Sequence, residues 1–284
     1  MLNVSNIQRV CFHDGPGIRT TVFLNSCLLK CPWCANPETS KLTKKYVLND
    51  NCKKEKCPFN IDCNGIKSSM EELENNYIRC PIGAIEKTQN LYSIDDLYKL
   101  LINDKFLYEN NGGVTFSGGE PLLQSKNLSK LMKKLADNNI NIAMETCLFA
   151  SKTMLEDVIN YVDLFIVDIK ILDTEKCLKI LGGNLDLFFE NINLIFSKEK
   201  KVIFRIPLIE PYITNKENMG KIYSFLKTYK PLKVEIFKGH NLAKEKYYKL
   251  GLKYEDVKTI SDEDIKLIKK IIEDLGIETQ VIKF

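Results

Sequence analysis

Thr21-Val22-Phe23-Leu24-Asn25-Ser26-Cys27-Leu28-Leu29-Lys30-Cys31-Pro32-Trp33-Cys34 carries a short apolar, β-branched run straight into a loop with three cysteines. The run 21–24 reads as a strand, and five more runs of the same kind follow. The run 114–116 leads into Ser117-Gly118-Gly119-Glu120-Pro121, the run 140–144 into Glu145-Thr146, and the run 164–167 into Asp168-Ile169-Lys170. The run 202–206 contains Arg205 just before Pro207, and the run 234–237 leads to His240-Asn241. Any one of these ends could be a solvated loop or a helix cap. All six together place polar, chemistry-bearing residues where parallel strands finish, which is where function gathers in such sheets.

Between the runs lie amphipathic helical stretches. One opens with Ser93 and Asp96 as a capping box and should bury Leu97, Leu100 and Leu101. Another carries Leu128, Leu131, Met132 and Leu135, and a third Met154, Leu155, Val158 and Ile159. A late one holds Ile265, Leu267, Ile268, Ile271 and Ile272. Strands alternating with helices of this length imply parallel βα units and an α/β fold. Six consecutive units predict a partial (β/α)6 barrel, and an open doubly wound sheet would give the same pattern.

The stretch 41–90 differs from the rest. It is polar and loop-like, with Cys52, Cys57, Cys63 and Cys80 set among Lys53, Lys54, Glu55 and Lys56. About 50 residues of this kind carry too little core to order themselves and usually need a metal or disulfide staple. The expected division is therefore 1–40 with 91–284 as the barrel, and 41–90 as a small cysteine-rich insertion.

Bulk composition excludes several classes. The chain is 284 residues long, 44% hydrophobic and 27% charged, with a net charge of +4, too small an excess to point to nucleic acid. The start lacks a basic segment followed by an apolar stretch, so no signal peptide is expected. Apolar runs such as 164–167 fall far short of the roughly 20 residues that span a bilayer. The expectation is a protein of the cytoplasm, acting as a monomer. Ten cysteines are then anomalous, because in a reducing compartment closely spaced cysteines bind metal or do chemistry more often than they pair. The scattered three, Cys11, Cys147 and Cys177, read as small buried hydrophobes.

Cys27, Cys31 and Cys34 lie within eight residues, spaced x3 then x2. Chance gives such a triple in about one in a hundred sequences of this composition. Three thiolates this close can ligate three irons of one cubane, and no fourth cysteine follows before Cys52. The remaining iron would be an open position of the kind that holds substrate in catalytic metal sites. A zinc knuckle or an ordinary electron-transfer cluster could use the same thiols. Neither accounts for the Gly-Gly-Glu-Pro turn or the other strand ends.

The Cys-x3-Cys-x2-Cys loop, with Trp33 before its last cysteine, resembles the signature of the radical S-adenosylmethionine superfamily. More narrowly, the stretches Phe12-His13-Asp14-Gly15-Pro16-Gly17-Ile18-Arg19-Thr20, Cys31-Pro32-Trp33-Cys34-Ala35-Asn36-Pro37-Glu38 and Val114-Thr115-Phe116-Ser117-Gly118-Gly119-Glu120-Pro121 resemble the glycyl-radical-enzyme activating proteins. The resemblance runs from about residue 5 to 255 and is nearest to pyruvate formate-lyase activase relatives with a ferredoxin-like insertion. It implies a partial barrel and a [4Fe–4S] cluster on Cys27, Cys31 and Cys34. It also implies S-adenosylmethionine cleaved by one electron to a 5′-deoxyadenosyl radical, which takes hydrogen from a glycine of a partner enzyme. Gly118, Gly119 and Glu120 would receive the methionine amine, glycine permitting close backbone approach and a carboxylate suiting an ammonium. Trp33, Ala35, Ile169, Lys170, Arg205 and His240 would line the cofactor. Glu145 and Asp168 would hold a monovalent cation, and Asp14 would face the partner's glycine loop.

A donor even 200 mV too positive would forfeit roughly 5 kcal/mol of the electron's driving force, so reduced flavodoxin or ferredoxin is the expected donor. Lys53, Lys54 and Lys56 would steer an acidic one. Relatives with the insertion commonly carry eight cysteines there for two clusters. This chain has four, at spacings x4, x5 and x16, and Cys80-Pro81 echoes a ferredoxin half. One auxiliary cluster is expected on Cys52, Cys57, Cys63 and Cys80, with zinc as the alternative. After Thr146 relatives often show a small residue and then glycine, whereas Cys147-Leu148 stand here. Two competing readings are a radical enzyme acting on a small molecule and a module that only carries electrons or binds.

Overall fold

The chain opens with β1 (Leu2–Cys11), which turns back antiparallel onto β2 (Arg19–Leu24). The computed structural model describes residues 1–40, 46–49, 80, 82–109 and 111–283. Within the cysteine-rich stretch, β3 (Tyr46–Leu48) and β4 (Ile85–Lys87) form a small antiparallel ladder packed through Tyr46 and Ile85, with Cys80 against it. Cys52, Cys57 and Cys63 lie outside the described residues. β5 (Asn90–Tyr92) pairs with β1, so the main sheet resumes one residue before the boundary drawn from sequence.

From there strands and helices alternate. α1 (Ile94–Asn103) begins at Ser93, whose side chain accepts the Asp96 N–H at 3.0 Å, the cap that the sequence predicted. It buries Leu97 and Leu101, with Leu100 at the margin. β6 (Gly113–Gly118), α2 (Ser125–Ala136) and β7 (Asn141–Thr146) follow. Then come α3 (Lys152–Glu156), β8 (Leu164–Asp168), a helical segment Thr174–Lys176 continued by a π-helical turn Cys177–Leu181, and α4 (Leu185–Ser197). The chain ends through β9 (Lys201–Glu210), α5 (Lys216–Thr228), β10 (Lys233–Lys238), α6 (Lys244–Leu250), β11 (Lys258–Thr259), α7 (Asp262–Glu273) and β12 (Thr279–Ile282).

Strand order separates the two architectures that the sequence left open. β2, β6, β7, β8, β9 and β10 are neighbours in chain order, each pair parallel, with no point where the order reverses. A doubly wound sheet reverses at its switch point. The unbroken order is that of a barrel wound one way, and here it stays open, with β12 beyond β10 and β1 and β5 beyond β2.

Register shows what each face does. Thr21, Thr115, Ala143 and Leu164 lie side by side across β2, β6, β7 and β8. One layer higher, Glu145, Ile166 and Ile203 align, and above them Asp168, Arg205 and Glu235. Since strand side chains alternate faces, all of these share one face, which holds only a small apolar group of Ala143, Leu164, Ile166 and Ile203. The opposite face carries Val22, Phe116, Met144, Phe165, Val167, Phe204 and Ile236 into the large core beneath the helices. α2 shows how a helix covers that face. Leu128, Leu131, Met132 and Leu135 recur at helical spacing and are all fully buried.

Three sequence expectations change. The stretch with Met154, Leu155, Val158 and Ile159 is not one helix, because α3 ends at Glu156 and a 3₁₀ turn Ile159–Tyr161 follows. Val158 and Ile159 are β-branched and stiff, and the chain must reach β8 within a few residues. In α7 Leu267 is exposed, on the face turned from the core. The strands β1 and β12 extend a sheet that was expected to hold six. Among the described residues no helix is long and apolar enough to cross a membrane.

Candidate active site

A cavity of about 200 Å³ opens where the parallel strands end. Cys27, Cys31 and Cys34 line it from the loop after β2, and none of them is in a disulfide. That loop is held from elsewhere in the chain at three points and by one bond of its own. The Asn25 N–H donates to the Asn3 carbonyl, Ser26 N–H to Thr39, Lys30 N–H to Leu181 and Cys34 N–H to Cys31, at 2.9 to 3.1 Å. Ser26 has φ of 82°, a left-handed conformation that non-glycine residues rarely adopt. Lys246 of α6 closes the far side, donating to the Ala35 carbonyl, Asn36 Oδ1 and Glu38 Oε1.

Gly118 and Gly119 end β6 against this loop. A Cβ on Gly119 would stand 2.2 Å from the Ser26 carbonyl oxygen, and one on Gly118 would stand 2.4 Å from that of Leu24. Only glycine lets β6 come this close, and the Glu120 N–H then reaches the Ser26 carbonyl at 2.8 Å. Both glycines are on the cavity wall.

Glu120 itself turns away from the cavity. It is 1% exposed, and its carboxylate accepts from Thr146 Oγ1 at 2.8 and 2.9 Å, the Leu122 N–H at 3.1 Å and the Cys147 N–H at 2.9 Å. Burial pushes its pKa up, against the pull of the Cys147 and Thr146 bonds. The side chain expected to meet the methionine amine thus braces the turn after β7 instead.

Opposite the cysteines, Glu145, Asp168, Lys170 and His240 line the cavity, with Trp33 and Ala35 beside the cysteines. Trp33 leans on Tyr212, ring centroids 5.1 Å apart. Lys170 Nζ donates to Asp168 Oδ2 at 2.8 Å; burial works against its charge, but Asp168 and the neighbouring thiols hold its pKa above the ordinary lysine value. Ile169, between them in sequence, does not line the cavity: it is fully buried in the main core, and its N–H donates to the Arg205 carbonyl at 2.7 Å. Burial pushes the Cys31 thiol up, and Cys34 to about 11. Buried thiols of this kind ionise when a metal takes their proton's place.

Arg205 does not line the cavity but underlies it. Its Nε donates to Glu235 Oε2 at 2.8 Å, and its two terminal nitrogens donate to Glu145 Oε1 and to the His13 carbonyl. Ser117 Oγ donates to the other oxygen of Glu145. Burial lifts the Glu145 pKa to about 7, against the pull of Arg205. Asp14 is held one layer below Glu145, on Thr21 and Thr115. Its carboxylate accepts from Thr21 Oγ1 and its carbonyl from Thr115 Oγ1, both at 2.6 Å.

Three thiols on one wall, facing charged and aromatic side chains, are a donor set that fits a cubane with one iron left open. Among the described residues no three His, Cys, Asp or Glu side chains converge as a single ion would need. A cubane asks each thiolate to reach a different iron, so the three need only ring a volume.

Relatives agree with that geometry. A family profile described as "4Fe-4S single cluster domain" matches residues 13–180. The 4-hydroxyphenylacetate decarboxylase activating enzyme of Clostridioides difficile (strain CD196) is 33% identical, over 98% of this chain and 95% of its own length. The chain belongs to the glycyl-radical-enzyme activating enzymes. The trans-4-hydroxy-L-proline dehydratase activating enzyme of Clostridioides difficile is likewise 33% identical, over 98% of each chain. A solved domain of the pyruvate-formate lyase-activating enzyme from Bacteroides vulgatus ATCC 8482 superposes with a TM-score of 0.51 at 25% identity, covering 61% of this chain and all of its own.

For an activating enzyme, the sequence named half of the cavity's lining residues and missed the rest, including four that bear polar or thiol groups. Thr146 and Cys147 line it from the end of β7, Ser117 from β6 and Asn36 from the cysteine loop. Alternation along β6 would have turned Ser117 to the same face as Thr115. Cys147 was read as a scattered core cysteine. It is buried, as is Cys177, yet it stands at the cavity.

Proposed function

We propose that this activating enzyme holds a [4Fe–4S] cluster on Cys27, Cys31 and Cys34, with S-adenosylmethionine beside it in the same cavity. When bound, the reduced cluster supplies the electron that cleaves the sulfonium to methionine and a 5′-deoxyadenosyl radical. The observation that carries this reading is the meeting of three thiols from one pinned loop with the ends of the parallel strands, around one cavity. The Gly118–Gly119 backbone offers the methionine amine close approach, while Glu120 fixes the neighbouring turn. Lys170 gives a cation for the methionine carboxylate, and Trp33, Ala35 and His240 bound the nucleoside side. A monovalent cation at Glu145 and Asp168 would take their carboxylates in exchange for the present bonds to Arg205 and Lys170.

Arg205 and Asp14 act beneath the cofactor. Arg205 fixes the loop that follows β1 through the His13 carbonyl, and Thr21 and Thr115 fix Asp14. The partner's glycine loop would meet Asp14 there. Cys52, Cys57, Cys63 and Cys80 would hold one auxiliary cluster, zinc being the alternative, in an insertion spanning 41–90. Reduced flavodoxin or ferredoxin would supply the electron to a monomer in the cytoplasm.

The partner is a glycyl radical enzyme of the kind that the relatives' names describe: a decarboxylase of an aryl acetate, a hydroxyproline dehydratase or a choline lyase. The test is anaerobic incubation of the loaded protein with each purified partner, reductant and S-adenosylmethionine. A glycyl EPR doublet on one of them identifies the substrate. Cofactor cleavage with no doublet on any of them would remove these three from the reading.

A further inference from the structure

Arg19 opens β2 and is fully buried. Buried arginines are ordinarily matched by a carboxylate. Among the described residues, the acceptors of Arg19 are all neutral. Its Nε donates to Thr115 Oγ1 at 2.6 Å, and its Nη1 to the Pro16 and Asn111 carbonyls at 3.0 and 3.3 Å. Its Nη2 donates to the Val114 carbonyl at 2.9 Å and to Asn141, at the carbonyl (3.3 Å) and at Oδ1 (3.1 Å). The whole fork is engaged. An apolar side chain of similar size would fill this space without a buried charge, so packing alone does not call for an arginine.

What the guanidinium holds is the turn Asp14-Gly15-Pro16. A hydroxyl has one hydrogen to give. Thr115 Oγ1 accepts from Arg19, which leaves that hydrogen for the Asp14 carbonyl at 2.6 Å. Pro16 is bonded to the guanidinium directly. Gly15, between the two, has φ of 122°, and a Cβ on it would stand 3.1 Å from Arg19 Cδ, so the turn lies against the arginine stem. Thr21 separately fixes the Asp14 carboxylate. Asp14, Arg19 and Thr115 are all absent from the wall of the cofactor cavity.

We infer that Arg19 is a positioning residue for the protein substrate. Directly through Pro16, and through the Thr115 hydroxyl to Asp14, it presets the turn that receives the partner's glycine loop. Its planar fork supplies what a lysine cannot, two donors held at a fixed angle to two different acceptors. A turn fixed before the partner arrives spares the partner the cost of ordering it, so the arginine acts on partner affinity. The inference rests on Asp14 facing that loop, as proposed above.

The experiment compares wild type with Thr115→Val, Thr115→Ser and Arg19→Lys, each loaded with iron and sulfide and assayed below its thermal midpoint. The partner is the glycyl radical enzyme that wild type activates. KM for that partner and kcat come from the growth of the glycyl EPR doublet, and 5′-deoxyadenosine is measured separately without partner. Thr115→Val, which removes the hydroxyl at nearly constant shape, is expected to raise KM at least about tenfold while cofactor cleavage without partner persists. Thr115→Ser, which keeps the hydroxyl, is expected to restore KM, and Arg19→Lys to raise it as Thr115→Val does. An unchanged KM in Thr115→Val overturns the inference, as does a Thr115→Ser no better than Thr115→Val. Equal losses of cofactor cleavage and radical formation also overturn it, since they mark a structural support. Should Arg19→Lys fail to fold, the two Thr115 variants decide. Asp14→Ala, run alongside, separates the two layers of the reading. An unchanged partner KM there refutes the placement of Asp14 at the glycine loop, and the inference falls with it.

Discussion

Arg205, two thirds of the way along the chain, donates to the backbone carbonyl of His13 near its start. The same guanidinium reaches Glu235 on the adjacent strand β10 and Glu145 on β7, two strands away on the other side. One side chain therefore ties the layer under the cofactor cavity to the loop that carries Asp14. It joins two carboxylates withdrawn from water, Glu235 being 5% exposed and Glu145 half-buried; Glu235 also pairs with Lys233 at 2.8 Å, and Glu145 also accepts from Ser117 Oγ.

Removing that guanidinium leaves Glu145 with only the Ser117 hydroxyl and Glu235 with only Lys233 among the described residues. Arg205→Met is expected to destabilise the protein by about 3–5 kcal/mol, the cost of leaving buried charges uncompensated. Arg205→Lys, which keeps the charge but not the fork, should fall between. Thermal midpoints of the three proteins measure this, and an unchanged Arg205→Met would contradict the bonding described.

Asp14 separates cofactor chemistry from partner chemistry. Asp14→Ala leaves the cysteine loop and its cavity untouched, so 5′-deoxyadenosine formation without a partner should persist. Glycyl radical formation should fall at least about tenfold, equivalent to roughly 1.4 kcal/mol in the barrier. Parallel assays of product and EPR signal check it, and loss of both together would place Asp14 in the cofactor site instead.

Two glycine substitutions should act in opposite directions. Gly119→Ala drives a Cβ into the Ser26 carbonyl 2.2 Å away, so the loop must move. The expected result is lower iron content and a stability loss of about 1–3 kcal/mol. Gly220 lies on the exposed face of α5, with nothing within 4 Å of a new Cβ. Gly220→Ala should stabilise by about 0.5–1 kcal/mol with full iron content.

Glu145 and Glu120 give stability a definite slope with pH. Both have folded pKa values raised by burial, Glu145 to about 7. Between about pH 4.5 and pH 7 the folded state binds protons that the unfolded chain has released, so stability falls as pH rises through that window. Thermal midpoints of the loaded protein, scanned anaerobically from pH 5 to 8, should show it. Glu145→Gln should flatten the slope, and a slope identical to wild type would contradict the shift.

Much of this was legible in the sequence because strand ends are local. The runs into Cys27, Ser117, Glu145 and Asp168 each show strand and function in one short stretch. What crosses strands was not legible. Glu120 shares a motif with Gly118 and Gly119, but its side chain goes to Thr146 and Cys147, a contact set by how β6 and β7 pack. Cys147 looked scattered because its partner Glu120 stands 27 residues away, and Cys27 on the same cavity wall 120 residues away. The edge strands β1 and β12 escaped for another reason. β1 is half exposed with a broken alternation, and β12 has four residues, so neither carries the apolar run that marks the central strands.

The account turns on three thiols that leave one iron for S-adenosylmethionine. The direct measurement is anaerobic reconstitution with iron and sulfide, reduction with dithionite, addition of S-adenosylmethionine and assay for 5′-deoxyadenosine. Wild-type protein should form it, and Cys31→Ala, with one wall of the cavity deprived of its ligand, should form none. Turnover persisting in Cys31→Ala, or a fully loaded wild type that leaves the cofactor intact, would contradict the assignment.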